Sequence, residues 1–503
     1  MRITDIQRCE VRPGRLVEWT LAPATVAVAA KLPEDSRPPA YIQESHIRTA
    51  KSVRDSGLFV PTWLGTVFDL PGPVDLDLLQ EALRTWTVRH ETLRSGFRWA
   101  NGTAEAGQAA EAGQAGGTGQ VGGVGGELRR FTLDAEDVSL HREDAGDFTD
   151  ADALAAHLQH RFDTVADALR WPNLIYAAVV RDDSASVYLA FDHSNVDAYS
   201  LHGIPAEIEE LYTAAREGRG PVVRTPAASY VDFCELERAD ADRIDGGHDL
   251  VARWREFVRR CDGTLPGFPV ELGIDDVEPG GPLPRQRMIS EPLVDADAAA
   301  SFEAACRPYG GSLVGLLAAT GMIVHELGGV PVYRTVVPFH TRVKSRWSDS
   351  VGWFVGGAPI EVPVADAPDL PATMRAVRAQ LQANRPLSRM PLARVLRLLG
   401  ADFRPTSPDL YSIVSFVDGR GIPGAARWAE QKAYGLLRVS YGDQVCVWVN
   451  RLHDGLWLAS RHPDTDVAAK NMRLYVERLR DLIAATLTPG PSSPGPSSPG
   501  HTS

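Results

Sequence analysis

Apolar residues recur along this 503-residue chain with two different periods, and stretches of the two alternate. Leu78, Leu79, Ala82, Leu83 and Trp86 fall three and four apart within residues 75–90, the mark of a helix with one buried face. Comparable stripes predict helices near Ala151–Phe162 and over 311–327. A third, carrying Leu201, Ile204, Ile208, Leu211 and Ala215, predicts a helix from about Pro205 to Arg216. Proline suits the first turn of that helix, and Gly218 a left-handed cap at its end. Alternating or continuous short apolar runs predict strands at Leu93–Trp99, Asn173–Val180 and Ser186–His193, and in VPVYRTVVPF, VGWFVGGAPIEVPV, YSIVSFVD and DQVCVWVN. Helices and strands mixed in both halves predict an α+β fold of two subdomains, 1–215 and 216–487.

Two stretches lack side chains large enough to pack. Residues 101–126 are rich in Gly, Ala and Gln, and 488–503 repeat Pro, Ser and Gly; both are expected to be disordered, the first as an expanded hairpin loop. Elsewhere the composition is that of a globular chain, 44% hydrophobic and 23% charged. A net charge of −13 argues against charge-driven nucleic-acid binding, which needs a basic surface. Five scattered cysteines without CxxC spacing suggest a reducing, cytoplasmic setting and no metal site. The first residues, MRITDIQRCEVRPG, have no apolar core of a signal peptide. The apolar run from Ser312 to Val324, broken by Gly315 and Gly321, is too short for a transmembrane segment, which needs roughly 20 residues.

Several apparent motifs fail on chemistry. GGSLVG at 310–315 is no nucleophile elbow, because Val314 stands where the second glycine is needed. IDGGHDL at 244–250 has Asp249 where a pantetheinylated serine would stand. No GxGxxG, P-loop or HExxH occurs.

The informative stretch is FDHSNVDAYS, 191–200. In an extended strand Val187, Leu189, Phe191 and His193 share one face, while Tyr188, Ala190 and Asp192 share the other. A histidine therefore ends an apolar row where the core meets a cleft. Asp192 and His193 point apart, so Asp-His-Ser is not a triad, and Asp192 is expected to support the local backbone. Asp197 has two uses, binding N–H groups at a helix start or pairing with a buried arginine. His193 itself is either a satisfied core histidine or a general base that takes a proton from an attacking hydroxyl or amine.

DHSNVD resembles the HHxxxDG motif of the condensation-domain superfamily of nonribosomal peptide condensation domains and polyketide-associated (Pap) acyltransferases. Four further stretches agree in order and spacing: VRHETLRSGF, SYVDFCELE, VPFHTR with SVGWFVGGAPIEV, and DLYSIVSFVDGRGIPGA. The opening residues and PPAYIQESHIR are similar to actinobacterial Pap acyltransferases in particular.

This resemblance implies two chloramphenicol-acetyltransferase-like subdomains in a V, with a tunnel between them where donor thioester and acceptor meet. It implies His193 as general base, with Asp197 and Arg342 as a structural ion pair and Asp192 as support. Ala198, Gly352, Trp353, Phe354 and Ser415 would line the channel. Asp192 stands in place of the motif's first histidine, Ala198 in place of its glycine, and Gly356 where many members have asparagine. The implied reaction moves an acyl group from a carrier-protein phosphopantetheine or CoA thioester to a hydroxyl or amine in natural-product or lipid biosynthesis. The donor would come from a separate acyl-carrier protein or acyl-CoA, and no metal or permanently bound cofactor is implied. The rival expectation is an inactive condensation-like module that docks a carrier protein or tailoring enzyme. Arg342, Lys344 and Arg346 suggest either a contact to a pantetheine phosphate or a solvated loop.

Overall fold

The computed structural model describes residues 1–100, 126–220, 227–274, 283–367, 369–405 and 412–486. The expected disordered insertion, apart from Gly126, and the expected tail lie outside the described residues. The fold is α+β, built on a seven-stranded and a four-stranded sheet.

In the seven-stranded sheet the order is Arg2–Asp5, Tyr434–Leu437, Trp63–Pro71, Ser184–Asp192, Leu174–Val180, Gly14–Leu21, Leu140–Phe148. Strand Ser184–Asp192 lies at its centre and is buried on both faces. Val187, Leu189 and Phe191 pack with Leu79, Leu83 and Trp86 of helix Leu76–Arg89 and with Leu201, Ile204 and Ile208 of helix Ala198–Arg216. Tyr188 and Ala190 pack on the other face with Leu154, Leu158 and Phe162 of helix Ala151–Val165. The alternation predicted from the sequence thus holds, because period two allots successive side chains to opposite faces.

The four-stranded sheet, ordered Ile413–Asp418, Cys446–Leu452, Gly455–Pro463, Gln286–Asp295, is backed by helices Ser312–Gly328 and Asp466–Ala485. Between its first two strands the chain leaves for the other sheet, adds Tyr434–Leu437 between Arg2–Asp5 and Trp63–Pro71, and returns. Residues well beyond the expected division at 215/216 therefore complete the first sheet. The seam is tied further by Ser290 Oγ donating to the Ile3 carbonyl at 2.6 Å and Asn450 Nδ2 to the Met1 carbonyl at 3.2 Å. Among the described residues no single helix is long and apolar enough to cross a membrane.

Three element boundaries differ from expectation, each for a local reason. The helix expected from Pro205 begins at Ala198, because Asp197 accepts from Ser200 N at 2.7 Å and caps it. Pro205 consequently lies inside the helix, where it cannot donate to the Leu201 carbonyl. Gly218 does end it: with φ +65° it lets Arg219 N reach the Ala214 carbonyl at 3.0 Å. The strand expected over VGWFVGGAPIEVPV starts only at Val355, because the N–H groups of Gly352 and Phe354 donate to side chains. The strand expected from Leu93 starts at Ser95, after a 3-10 turn over Glu91–Arg94.

Candidate functional site

The site begins where strand Ser184–Asp192 stops. His193 N still donates to the Thr62 carbonyl at 3.0 Å, and the chain then turns through Ser194–Val196 into the capped helix. This loop is bonded from several sides. Asp192 Oδ1 accepts from Ser194 N at 2.9 Å, Gln43 Nε2 donates to the Ser194 carbonyl at 2.7 Å, and Asn195 Nδ2 donates to Asn173 Oδ1 at 2.8 Å. Asp192 thus supports the local backbone, as expected from its position.

The His193 ring is partly buried, and Nδ1 lies 2.8 Å from the Val196 carbonyl oxygen. A carbonyl oxygen only accepts, so Nδ1 carries the proton and Nε2 keeps its lone pair. The Trp353 indole stacks on the ring with centroids 3.8 Å apart and planes 21° from parallel, which fixes the imidazole plane. Burial, then the positive charges of His46 and Arg438, lower the His193 pKa to about 4, although the Val196 carbonyl works in the opposite direction. The ring is therefore a neutral base at pH 7.

Asp197 and Arg342 form a buried pair, with Arg342 Nη1 2.6 Å from Asp197 Oδ2 and Nη2 3.0 Å from Oδ1. Phe354 N donates to Oδ2 at 3.0 Å, and the Ser200 hydroxyl to Oδ1 at 2.8 Å. Burial raises the Asp197 pKa, but the guanidinium and these donors outweigh it and hold the carboxyl below its ordinary value. Both uses anticipated for Asp197, helix cap and arginine partner, are filled by one carboxylate. The Arg342 guanidinium also lies 4.2 Å from the centre of the Phe354 ring.

The same pair positions Trp353. Ser200 Oγ accepts from Gly352 N at 3.1 Å, Phe354 N is held by Asp197, and the Trp353 carbonyl accepts from Tyr230 Oη at 2.9 Å. Residues 352–354 are pinned on both sides of the indole that stacks on His193. Gly352 has no room for a side chain, since a Cβ there would meet the Tyr230 ring at 2.3 Å. Gly352→Ala is expected to cost about 1–3 kcal/mol by overpacking and to depress turnover, read as a lower melting temperature together with a lower kcat. An unchanged melting temperature would show that Tyr230 yields without loss.

Of the residues expected to line a channel, Gly352 and Phe354 are buried, while Ala198 and Trp353 are partly exposed. Ser415 sits on strand Ile413–Asp418 and, among the described residues, shares no hydrogen bond with this group. Of the basic run, Arg342 is drawn into the core, and Lys344 and Arg346 stay on an exposed loop with Arg346 over the Trp347 ring.

Sequence reasoning missed His46. It lies on helix Tyr41–Asp55, with Nε2 3.1 Å from Asp192 Oδ2 and its ring edge-on to Trp353 at 5.3 Å. Its centroid is 6.1 Å from that of His193. Burial raises the Asp192 pKa, but the charge and hydrogen bond of His46 with further donors bring it to about 2. Gln43, one helical turn earlier on the same face, holds the Ser194 carbonyl. The PPAYIQESHIR stretch carried the signal as a resemblance, but nothing in its spacing indicated which loop it would meet.

The family model described as the condensation domain matches residues 122–416. Among curated proteins, the chain is 27% identical over 493 residues to 2'-acyl-2-O-sulfo-trehalose (hydroxy)phthioceranyltransferase PapA1 of Mycobacterium tuberculosis, covering 96% of this chain and 89% of that one. It is 27% identical over 507 residues to trehalose-2-sulfate acyltransferase PapA2 of the same species, covering 97% and 99%. Among solved structures, PapA2 acyl transferase superposes with a TM-score of 0.83 at 26% identity, covering 97% of this chain and 99% of that one. The starter condensation domain of rhizomide synthetase RzmA, bound to C8-CoA and Leu-SNAC, gives 0.62 at 14% identity, covering 92% and 97%, and shows a shared fold.

Proposed function

The chain belongs to the condensation-domain family, its fold is the paired chloramphenicol-acetyltransferase-like architecture, and it is an acyltransferase; from this premise we propose that it takes the acyl group from a thioester and forms an ester on a hydroxyl acceptor with His193 as general base. The observation that carries the proposal is the Nδ1–H bond to the Val196 carbonyl, which leaves Nε2 as a hydrogen-bond acceptor. A hydroxyl bound beside Nε2 gives up its proton as its oxygen attacks the thioester carbon. The resulting tetrahedral intermediate collapses by breaking the C–S bond, and the imidazolium returns its proton to the departing thiolate. The products are an ester and a free thiol. Trp353 favours the charged intermediate state of the ring, since an indole face attracts a cation. Asp197 and Arg342 act one step removed, holding residues 352–354.

An oxygen acceptor is favoured over an amine because relatives PapA1 and PapA2 are named for acylated trehalose sulfate. We further propose acyl-CoA or a carrier-bound acyl group as donor and the cytoplasm as the setting. Purified protein incubated with a panel of acyl-CoA and acyl-carrier donors and with polyol or amine acceptors tests the reading by mass spectrometry. The expected product carries one acyl group that alkaline hydroxylamine removes, as it does from esters. A hydroxylamine-stable product would identify an amide, and carrier binding without turnover would favour the docking module.

We also propose that His46 positions the site. Its contact with Asp192 and its edge-on ring against Trp353 tie helix Tyr41–Asp55 to the catalytic loop. Removing its charge removes one cause of the lowered His193 pKa. His46→Gln is therefore expected to move the acid limb of the kcat/KM profile to higher pH. An unmoved limb with lower kcat would reduce His46 to a packing role.

A further inference from the structure

Arg130 is 1% exposed, and among the described residues it forms no ion pair. Strand Leu128–Thr132 carries it opposite Phe97, whose ring centre lies 4.8 Å from the guanidinium carbon. Its donors meet neutral oxygens. Nε faces the Arg37 carbonyl at 3.3 Å, and Nη2 faces the Pro38 carbonyl at 3.4 Å and Gln43 Oε1 at 3.0 Å. Nη1 has no partner. A buried cation without a carboxylate is costly, and such a group calls for a reason beyond the packing of its own hairpin.

Three segments meet at the Gln43 amide. Oε1 also accepts from Ala40 N at 3.0 Å, and the Cys234 thiol of helix Tyr230–Ala241 lies 3.4 Å from it. Burial pushes that thiol up to about 11, so it keeps its proton and donates as well. A guanidinium and a backbone N–H only donate, so the atom on which they converge is the amide oxygen. The amide nitrogen is thereby turned to the Ser194 carbonyl, 2.7 Å away. Next to a cation, an amide is polarised and its N–H is the stronger donor.

The Ser194–Asn195 peptide is thus fixed at both ends, its oxygen by Gln43 Nε2 and its N–H by the Asp192 carbonyl at 3.0 Å. Val196 follows directly, and its carbonyl accepts from His193 Nδ1. A tilt of the preceding peptide would carry that carbonyl away from the ring. The imidazole could then take the other tautomer, in which Nε2 holds a proton and cannot accept one.

We propose that Arg130, acting through Gln43, is a positioning residue that keeps His193 in the tautomer a base requires. The consequence for catalysis rests on the acyl-transfer reading; the tautomer itself does not.

Arg130→Met keeps the length of the side chain over Phe97 and removes the cation. Replacing a buried charge by an apolar group of similar size is often neutral or stabilising, so the melting temperature should hold or rise. In the same variant kcat should fall by about 10- to 100-fold, the scale of a displaced catalytic group, with KM unchanged. Arg130→Lys restores a donor to Oε1 and should recover most of the loss. Gln43→Glu tests the relay from its other end. Its carboxylate can pair with Arg130 and accept from Ala40 N, but it turns an oxygen toward the Ser194 carbonyl, so kcat should fall while stability holds. NMR of nitrogen-labelled histidine rings, with His193→Gln to assign the signal, reads the tautomer without any substrate. The wild type should show Nδ1 protonated and Nε2 bare, and Arg130→Met and Gln43→Glu a mixture of the two forms. An unchanged tautomer and kcat in both variants, beside an inactive His193→Ala, would reject the relay and leave acyl transfer standing. A mixed tautomer in both, beside a fully active His193→Ala, would uphold the relay and reject His193 as the base. A kcat that falls only in step with melting temperature, with the tautomer intact, would reduce Arg130 to packing and overturn the proposal.

Discussion

His193→Ala is expected to lower acyl transfer by about 10²–10⁴-fold, the usual contribution of a positioned general base, with little change in melting temperature. The loss should fall on kcat, because the imidazole acts on the proton as it leaves the attacking hydroxyl and contributes little to ground-state binding. His193→Gln, which fills similar space but offers no base of useful strength, should lose nearly as much. The wild-type pH profile checks the same assignment. With a pKa of about 4, the ring is deprotonated and competent throughout the neutral range, so kcat/KM should rise through about pH 4 and then level off. An ordinary histidine would place that rise near 6.5. Near-normal turnover of the alanine variant with a confirmed substrate pair would sink the assignment.

The second large effect concerns stability. Arg342→Ala leaves Asp197 as an unpaired charge in the interior, and breaking a buried pair from one side costs about 3–5 kcal/mol. Denaturant unfolding should show it as a lower midpoint, with kcat falling as residues 352–354 loosen around Trp353. Arg342→Lys should recover only part of either loss, since a lysine cannot reproduce the two-point contact with both carboxylate oxygens. An alanine variant as stable as the wild type would mean that water replaces the guanidinium. Acid should act on the same elements. The folded pKa values of Asp192 and Asp197 lie below their unfolded ones, so their stabilisation is present above about pH 4 and fades as pH falls through the folded values. For Asp192 that fading runs down to about pH 2. His193, with a folded pKa below its unfolded value near 6.5, adds a loss of the same sign between about pH 6.5 and 4.

Much of this protein was legible from local pattern. The face allocation of Val187 through His193 followed from period two, and the helical stripes marked the faces that cover the central strand. Asp197 was readable in both its roles because a short carboxylate before a helix has few uses. What escaped was contact between segments distant in sequence. Pro205 suggested a helix start that Asp197 preempted, and Val351–Phe354 read as strand although its backbone is bonded to the side chains of Ser200, Asp197 and Tyr230.

The sequence by itself determined the alternation of elements, the histidine at a strand end, and the charge and size of the groups available to it. Only the tertiary structure decided that helix Tyr41–Asp55 would bring His46 to Asp192, that Trp353 would cover one face of His193, and that Arg130 and Cys234 would meet at Gln43. The reason is physical. Periodicity records which face of an element avoids water, a property of neighbours along the chain. A base's pKa and an amide's orientation depend on groups brought within a few ångströms by packing, and the sequence separation of those groups carries no trace of that distance.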